Sequence, residues 1–279
     1  MKVTLWGTRG SLASPGKDTI RYGGNTACVQ VQGADGTVLI LDAGTGIRSL
    51  GAALPPVSER LDILLTHLHL DHIQGLAFLP QLYRAEMKVH IWGPASATID
   101  LRSRLSRYLA PPLFPVRLRD LPCKLVLHEV ACAEFDIGEF RISPSLVCHP
   151  GPTVAFRLAD CHRTLTYLPD HEPALGKSNA NWDPKWTSGV SAAAGVDLLI
   201  HDTQYTDQEY EERVGWGHSS ITHAFKFAAL AGVKHLVSFH HDPTHDDSAI
   251  DEMMNRCMEL TRPSFQVTAG KEGAVFELD

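Results

Sequence analysis

The fold of this chain is decided by one stretch of its sequence, Leu65-Thr66-His67-Leu68-His69-Leu70-Asp71-His72. The apolar run Leu61–Leu65 predicts a buried strand, and Ile73–Tyr83 predicts a helix. Side chains two positions apart on an extended backbone point to the same side, so His67 and His69 face one way. Imidazoles crowded together in this way would repel one another when protonated unless another cation held them. The stretch therefore predicts a metal site where a strand meets a helix.

Composition limits the classes of protein to which the chain can belong. Its net charge of −7 excludes a strongly basic coat for nucleic acid. The six cysteines are scattered without a C-x-x-C pair, which is typical of buried thiols in a reducing compartment. The N-terminus carries no apolar signal-peptide core, and no window approaches the ~18 apolar residues of a membrane span. We therefore expect a cytoplasmic protein that has no contact with a membrane.

The order of the predicted elements favours two mixed sheets packed face to face with helices outside, because strands lead and helices are interleaved in each half. We expect strands at Val3–Leu5, Cys28–Val31, Val38–Leu41, Leu61–Leu65, Val89–Trp92, Lys124–Leu127, Phe140–Ser143, Val154–Leu158, Leu165–Tyr167, Leu198–His201, His235–Phe239, Ser264–Thr268 and Ala274–Leu278. We expect the main helices at Ile73–Tyr83, Ala95–Leu109, Ser219–Leu230 and Asp247–Leu260. The expected fold is α/β (α+β), in a single domain over residues 1–279 with a helical, Pro-rich insertion around 95–122.

The pattern H-x-H-x-D-H in residues 67–72 resembles the signature of the metallo-β-lactamase superfamily. Three later strand ends resemble the remaining ligands of that family, Val147-Cys148-His149, Leu165-Thr166-Tyr167-Leu168-Pro169-Asp170 and Leu236-Val237-Ser238-Phe239-His240. The resemblance implies a four-layer αββα sandwich that binds two divalent metal ions. It places His67, His69 and His149 on one ion, Asp71, His72 and His240 on the other, and Asp170 between them. Imidazole and carboxylate ligands suit Zn²⁺, while Mn²⁺ or Fe would also fit.

Two assignments stay open at this point. His241 is adjacent to His240 and His245 is close, although His240 stands where the strand should stop. Asp42 ends the strand Val38–Leu41, and in the family that position resembles an acid that orients the H-x-H-x-D-H loop. The alternative for Asp42 is a cap on the following turn.

Membership of this superfamily would not by itself identify a substrate, because lactonases, β-lactamases, thioesterases and phosphodiesterases share the ligands. Asp202, just past a strand, and His218, at the start of a helix, resemble an acid and a His-Ser segment of the tRNase Z-like phosphodiesterase branch. An imidazole oriented by a carboxylate can deliver a proton to the leaving oxygen. The alternatives are a turn-capping Asp202 and a His218 that merely starts the helix.

Within that branch, the segment between His72 and His149 lacks the long Gly/Pro-rich arm of tRNA-processing enzymes, and no cysteine-rich auxiliary zinc cluster is present. The chain thus resembles cyclic-nucleotide phosphodiesterases, with which the segments Thr8–Ser11 and Tyr22–Thr26 also share similarity. We expect metal-bound hydroxide to cleave a cyclic nucleotide or similar cyclic phosphodiester, with His218, Asp202 and Asp71 catalytic. The alternatives are a tRNA 3′-endonuclease, a lactone or thioester hydrolase, and a non-catalytic ligand-binding scaffold. The expected partner is a small phosphodiester rather than an extended nucleic acid, and a homodimer is left open.

Five arginines lie in or just after the predicted helix Ala95–Leu109, namely Arg102, Arg104, Arg107, Arg117 and Arg119. Arginine matches phosphate with two parallel hydrogen bonds. One hypothesis is that part of this group lines the substrate entrance or a dimer face, and the other is that it forms a solvated helix face.

Overall fold

The computed structural model describes residues 1–55, 59–173, 175 and 182–278. The expected domain range 1–279 also includes 56–58, 174, 176–181 and 279, which lie outside the described residues. The strands are β1 (Lys2–Gly7), β2 (Cys28–Gln32), β3 (Val38–Leu41), β4 (Arg60–Leu64), β5 (Lys88–Pro94), β6 (Lys124–Val130), β7 (Phe135–Ile137), β8 (Phe140–Leu146), β9 (Val154–Ala159), β10 (Thr164–Leu168), β11 (Leu198–Asp202), β12 (His235–Phe239), β13 (Gln266–Ala269) and β14 (Val275–Glu277). The helices are α1 (Ile47–Ala53), α2 (Leu70–Ile73), α3 (Leu101–Tyr108), α4 (Val190–Ala193), α5 (Asp207–Glu211), α6 (Ile221–Ala231) and α7 (Asp247–Thr261).

The strands form two seven-stranded sheets, in the orders β14-β1-β2-β3-β4-β5-β6 and β13-β12-β11-β10-β9-β8-β7. Each sheet is mixed. In the first, β3, β4, β5 and β6 run parallel, and in the second, β10, β11, β12 and β13 run parallel. The remaining neighbours are antiparallel, as in hairpins and meanders.

Buried apolar side chains form three layers. The central layer lies between the sheets and contains Val29, Phe156 and Val237, among others. A second layer packs α1 and α3 on the first sheet, and a third packs α4, α6 and α7 on the second. Three apolar layers separate four layers of secondary structure, so the predicted αββα sandwich is confirmed.

The prediction of one continuous helix over Ile73–Tyr83 is wrong. Only α2 is an α-helix there, and two 3₁₀ turns follow it at Leu76–Phe78 and Pro80–Tyr83. Leu79 is extended because the residue before a proline is pushed out of the helical region. Gly75 lies so close to the backbone of Gly44 that an added Cβ would stand 2.0 Å from its carbonyl oxygen. The segment bends here to bring α2 against the strand ends.

The helix predicted at Ala95–Leu109 is shorter than expected. It starts only after Asp100, whose side chain accepts a hydrogen bond from the Ser103 amide as an N-cap. The short helix α5 was not predicted, although the spacing of Thr206 and Glu209 is that of a capping box, which the two residues form in the structure.

The six cysteines are free. Within the described ranges, no helix combines the length and the apolar character that crossing a membrane requires.

Candidate metal centre

The predicted site residues meet at one edge of the sandwich. Asp42 follows β3, His67 follows β4, and α2 carries Asp71 and His72. Asp170, Asp202 and His240 stand at or just past the ends of the parallel strands β10, β11 and β12. The carboxyl ends of parallel neighbours share one edge, which is where α/β sheets collect functional side chains.

Four side chains converge in the first cluster, His67, His69, His149 and Asp170, each offering one atom within 4.8 Å of the others. The His149 Nε2 atom lies 3.1 Å from His69 Nδ1. The Asp170 Oδ2 atom lies 3.7 Å from the Nε2 atoms of both His67 and His149. His69 is exposed, so this cluster opens to solvent on one side.

Asp71, His72 and His240 form the second cluster. Its three ligand atoms are separated by 3.1 Å, 3.3 Å and 3.3 Å. Asp170 faces this cluster too, since its Oδ1 lies 3.0 Å from His72 Nε2 and its Oδ2 lies 3.4 Å from His240 Nε2. The Asp170 carboxylate therefore stands between the two clusters.

Hydrogen bonds on the far side of each ring set the histidine tautomers. His72 Nδ1 donates to the Asp42 carboxylate at 2.8 Å, His149 Nδ1 to the Gly217 carbonyl at 2.7 Å, and His240 Nδ1 to the Gln204 side-chain carbonyl at 2.9 Å. All three acceptors are oxygens without a proton to give, so Nδ1 carries the proton and Nε2 is the nitrogen that the neutral ring offers to a cation. This is the arrangement that metal-binding histidines use.

The geometry fits metal ions. In a tetrahedral zinc site with bonds of about 2.0–2.1 Å, ligand atoms stand roughly 3.3 Å apart, as they do in the second cluster. His67 Nε2 is buried and has no hydrogen-bond partner among the described residues, since the Asp170 Oδ2 atom that it faces is 3.7 Å away. Buried polar atoms without partners are rare and call for an ion or a water. The residues present thus fit two divalent cations.

The electrostatics of the site favour cation binding. Burial lowers the pKa of His149 to about 4 and holds the pKa of His67 well below its ordinary value, so both rings are neutral at pH 7. Burial opposes ionisation of Asp170, but the neighbouring His240 and His72 outweigh it and hold the pKa of its carboxyl well below the usual range. Burial disfavours the charged forms of His72 and His240 too, but the carboxylates of Asp170 and Asp71 outweigh it and raise the pKa of both rings. The first cluster therefore combines neutral imidazoles with an ionised carboxylate, and the carboxylates of the site attract positive charge.

The structure places His240, and neither His241 nor His245, at the centre. His241 Nε2 donates instead to the Gly270 carbonyl, and burial lowers the pKa of its ring to about 3. His245 Nε2 bonds to Glu209 at 2.9 Å. His240 has a left-handed φ of 60°, which turns the chain sharply at the end of β12.

Asp42 makes the contacts of an orienting acid. Its buried carboxylate accepts hydrogen bonds from the Thr66 amide at 2.7 Å and from His72. The following turn is held by other groups, since Thr26 Oγ1 accepts from the Thr45 amide. Asp42 thus fixes both ends of the H-x-H-x-D-H stretch.

We expect Asp42→Ala to weaken metal binding by about 10–100-fold, because second-sphere carboxylates hold ligating rings in place. The measurement is a metal titration against a competing chelator. Asp62→Ala is the matched control, since Asp62 is also buried but bonds to Arg60 and Trp92. Equal metal affinity in Asp42→Ala and wild type would contradict the orienting role.

Asp202 and His218 are paired. His218 Nδ1 donates to Asp202 Oδ2 at 2.8 Å, and the same nitrogen lies 3.9 Å from Asp170 Oδ2. The His218 ring stacks on His240 with centroids 5.0 Å apart. Asp202 is fully buried and also accepts from the amides of His171 and Gln204. The pair therefore stands beside the second cluster with His218 Nε2 directed away from Asp202.

The N-terminal loop reaches the site. The Ser11 amide donates to Asp71 Oδ2 at 2.7 Å. Gly10 has no room for a side chain, because a Cβ would stand 2.3 Å from the His240 ring. The buried Arg9 guanidinium donates to the carbonyls of Gly23 and His245, which ties this loop to the segment after β12. The resemblance at Thr8–Ser11 thus falls on a loop that touches the centre.

A cavity of about 410 Å³ adjoins the first cluster. It is lined by His67 and His69, by the apolar residues Leu68, Leu70, Ile73, Tyr108, Leu113, Pro150 and Pro152, by Gly151, and by Arg104 and Arg107. Arg104 donates to the Pro94 carbonyl and lies 3.7 Å from Glu129. Arg107 is exposed and makes no ion pair within the described part of the chain. Arg102, Arg117 and Arg119 are exposed and do not line this cavity.

Sequence reasoning missed two residues that support the centre. Gln204 accepts from His240 and donates to Ser11 Oγ. Glu172 is fully buried and accepts from the amides of Gly215 and Gly217. The run Asp170-His171-Glu172 just after β10 was the only sequence signal for Glu172, and the two glycine amides that it accepts from lie 43 and 45 positions away.

Comparisons with known proteins agree with this fold. Residues 37–241 match the family model described as the β-lactamase superfamily domain. Ribonuclease Z of Thermococcus onnurineus (strain NA1) is 24% identical over 273 aligned residues, which cover 83% of each protein. The metallo-β-lactamase fold protein YhfI from Bacillus subtilis has a TM-score of 0.72 and 21% identity, covering 99% of this chain and 98% of that one. The short form of human tRNase Z has a TM-score of 0.68 and 22% identity, with 100% of both chains covered. The two structures share the fold of this chain.

Proposed function

The chain belongs to the β-lactamase superfamily and is a metal-dependent hydrolase, and from this premise we propose that it hydrolyses a cyclic nucleotide or a similar cyclic phosphodiester. The observation that carries the proposal is the pair His218–Asp202, whose 2.8 Å hydrogen bond lies beside the candidate metal centre. A phosphodiester with an alkoxide leaving group needs a proton donor at this place, whereas a thioester or an aryl ester, which releases a thiolate or a phenolate, needs one far less.

The proposed ligands are those that the clusters bring together. His67, His69 and His149 would hold one ion, Asp71, His72 and His240 the other, and Asp170 would serve both. Zn²⁺ is the proposed metal, because the donors are imidazoles and carboxylates without thiolate. When bound, two such ions supply an activated water nucleophile and neutralise charge on the phosphoryl oxygens.

The protein's own residues do the rest of the proposed work. His218 would carry the proton to the leaving oxygen through Nε2, since Nδ1 is engaged by Asp202. Asp202 would orient the ring, because its other contacts to the amides of His171 and Gln204 hold it fixed. Asp71 is held by the Ser11 amide, which keeps its carboxylate aimed at the cluster.

The cavity suits a small substrate. Its volume of about 410 Å³ falls in the range of roughly 300–1,000 Å³ typical of small-molecule sites. Apolar walls such as Leu68, Tyr108 and Pro150 would cover a flat base, while the exposed Arg107 would meet a phosphate. A mononucleotide fits this description.

A second candidate function is cleavage of tRNA at its 3′ end. It is favoured by the 24% sequence identity to ribonuclease Z, in an alignment that covers 83% of the chain. Two features support the small-molecule proposal instead. The net charge is −7, which is unfavourable for gripping RNA phosphates. In place of a long Gly/Pro-rich arm, the segment between His72 and His149 carries the eight-residue helix α3.

A panel of generic substrates tests the reaction class. The protein should hydrolyse an aryl phosphodiester, lose this activity to a chelator and regain it with added metal. A lactone and a thioester should be poor substrates under the same conditions. Lactone hydrolysis without phosphodiester hydrolysis would refute the proposal.

We expect Arg107→Gln to raise KM about tenfold with little change in kcat, because a hydrogen bond to a charged phosphate contributes about 1.5 kcal/mol or more. Steady-state kinetics and gel filtration provide the measurement. Arg102→Gln is the matched control, since Arg102 is exposed on the same helix but does not line the cavity. If Arg107→Gln leaves both KM and oligomeric state unchanged, the arginines form only a solvated face.

A further inference from the structure

Glu172 is a fully buried carboxylate to which the proposed reaction gives no part. It lies two residues after Asp170, and its own amide donates to the Cys148 carbonyl at 2.9 Å. Its backbone is therefore anchored between two segments that carry proposed metal ligands. A buried carboxylate without a task in the chemistry needs a structural explanation.

Every hydrogen-bond partner of the Glu172 carboxylate within the described ranges is a donor. Oε1 accepts from the Tyr210 hydroxyl at 2.8 Å, and both oxygens lie 3.0 Å from the Gly215 amide. Oε2 accepts from the Gly217 amide at 2.9 Å. The carboxylate thus holds the backbone of the loop 215–217 at two points.

The loop 215–217 has no room for a side chain at Gly217. Gly215 and Gly217 both have a left-handed φ of 88°. A Cβ on Gly217 would stand 2.4 Å from His149 Nδ1 and 2.2 Å from Pro150 Cδ. The close approach lets the Gly217 carbonyl accept the hydrogen bond of His149 Nδ1 at 2.7 Å. The next residue in the chain is His218.

We propose that Glu172 is a positioning residue that sets two groups through one loop. By fixing the amides of Gly215 and Gly217, it places the Gly217 carbonyl on His149 and presents His218 to Asp202. The effect on His149 concerns metal affinity, and the effect on His218 concerns proton delivery. The second effect rests on the proposed function, whereas the first does not.

A graded series of variants tests this role. Glu172→Leu has a similar size and no acceptor, and Glu172→Gln keeps one carbonyl oxygen for the two amides. Asp197→Asn is the control. Asp197 is a half-buried carboxylate that lies just before β11, away from the centre, and it accepts a hydrogen bond from the Thr164 amide. The readouts are metal affinity against a competing chelator, the ¹⁵N signal of the His149 Nδ1–H group in metal-free protein, and kcat on two leaving groups.

We expect Glu172→Leu to weaken metal binding by about 10–100-fold, as loss of an outer hydrogen bond to a ligating histidine does. The His149 Nδ1–H signal should be lost to exchange. At saturating metal, kcat should fall more for a cyclic nucleotide than for an aryl phosphodiester. Glu172→Gln should lie between Glu172→Leu and wild type, and Asp197→Asn should match wild type in all three readouts.

Unchanged metal affinity and an unchanged His149 signal in folded Glu172→Leu would overturn the proposal. Should that variant not fold, Glu172→Gln decides, because a neutral acceptor holds an amide about half as strongly as a charged one. A wild-type result for Glu172→Gln in both readouts would then overturn it. If wild-type protein cleaves no phosphodiester, the proposed function fails, yet the metal and ¹⁵N measurements still test Glu172.

Discussion

Replacing His218 with alanine should lower kcat for a cyclic nucleotide by about 10²–10⁴-fold, the usual contribution of a positioned general acid. The loss should be much smaller for an aryl phosphodiester, because a phenolate leaves without needing a proton. Metal content should stay the same, since the proposed ligand set does not include His218. The measurement is kcat on both substrates, with elemental analysis of the same samples.

Asp202→Ala should show a smaller defect with the same dependence on the leaving group, because Asp202 only orients the imidazole through its 2.8 Å contact. An equal drop of His218→Ala on both substrates would mean that His218 positions the phosphate. Loss of metal would instead make His218 a ligand, a role within its reach because it lies with Asp170 and His240 in a group of ligand atoms that are within 4.8 Å of one another.

Asp170→Ala should remove most activity, by roughly 10³-fold or more, because the acceleration by a metal-dependent hydrolase depends on its ions. The carboxylate faces both clusters at 3.0–3.7 Å, so its loss should lower the affinity for both ions. Elemental analysis should find about two transition-metal ions per wild-type chain and fewer in the variant.

Asp160→Ala is the control for this experiment, since Asp160 caps a turn after β9 and accepts from the amides of His162 and Arg163. It should keep both metal and activity. A single ion per wild-type chain, with no second ion taken up on titration, would contradict the binuclear centre. Full metal content in Asp170→Ala would show that the carboxylate is not a ligand.

The sandwich was predictable because its elements follow local patterns. Short β-branched runs ended near the strand ends that the structure shows, and β12 was placed at His235–Phe239 without error. Since parallel strands end at one edge, residues after β4, β10 and β12 could be expected to meet there. This is why His67, Asp170 and His240 could be grouped from the sequence.

The parts that sequence patterns did not predict depend on contacts between distant segments. The end of the predicted strand favours His240 over the adjacent His241, but it is the left-handed turn at His240 and the hydrogen bond of His241 to the Gly270 carbonyl that separate them. The Glu172 carboxylate accepts hydrogen bonds from amides 43 and 45 residues further along the chain, and hydrophobic periodicity cannot predict such a contact. The helix predicted at Ile73–Tyr83 was wrong because the apolar spacing there is helical, whereas Gly75 packs against the backbone of Gly44 and Pro80 keeps Leu79 extended.

The most direct test of the account compares kcat/KM of metal-loaded wild-type protein for 2′,3′- and 3′,5′-cyclic nucleotides with kcat/KM for a pre-tRNA. The account predicts that at least one cyclic nucleotide is hydrolysed with the higher kcat/KM and that a chelator abolishes the reaction. Efficient cleavage of the pre-tRNA at its 3′ end, with no cyclic nucleotide hydrolysed, would contradict it.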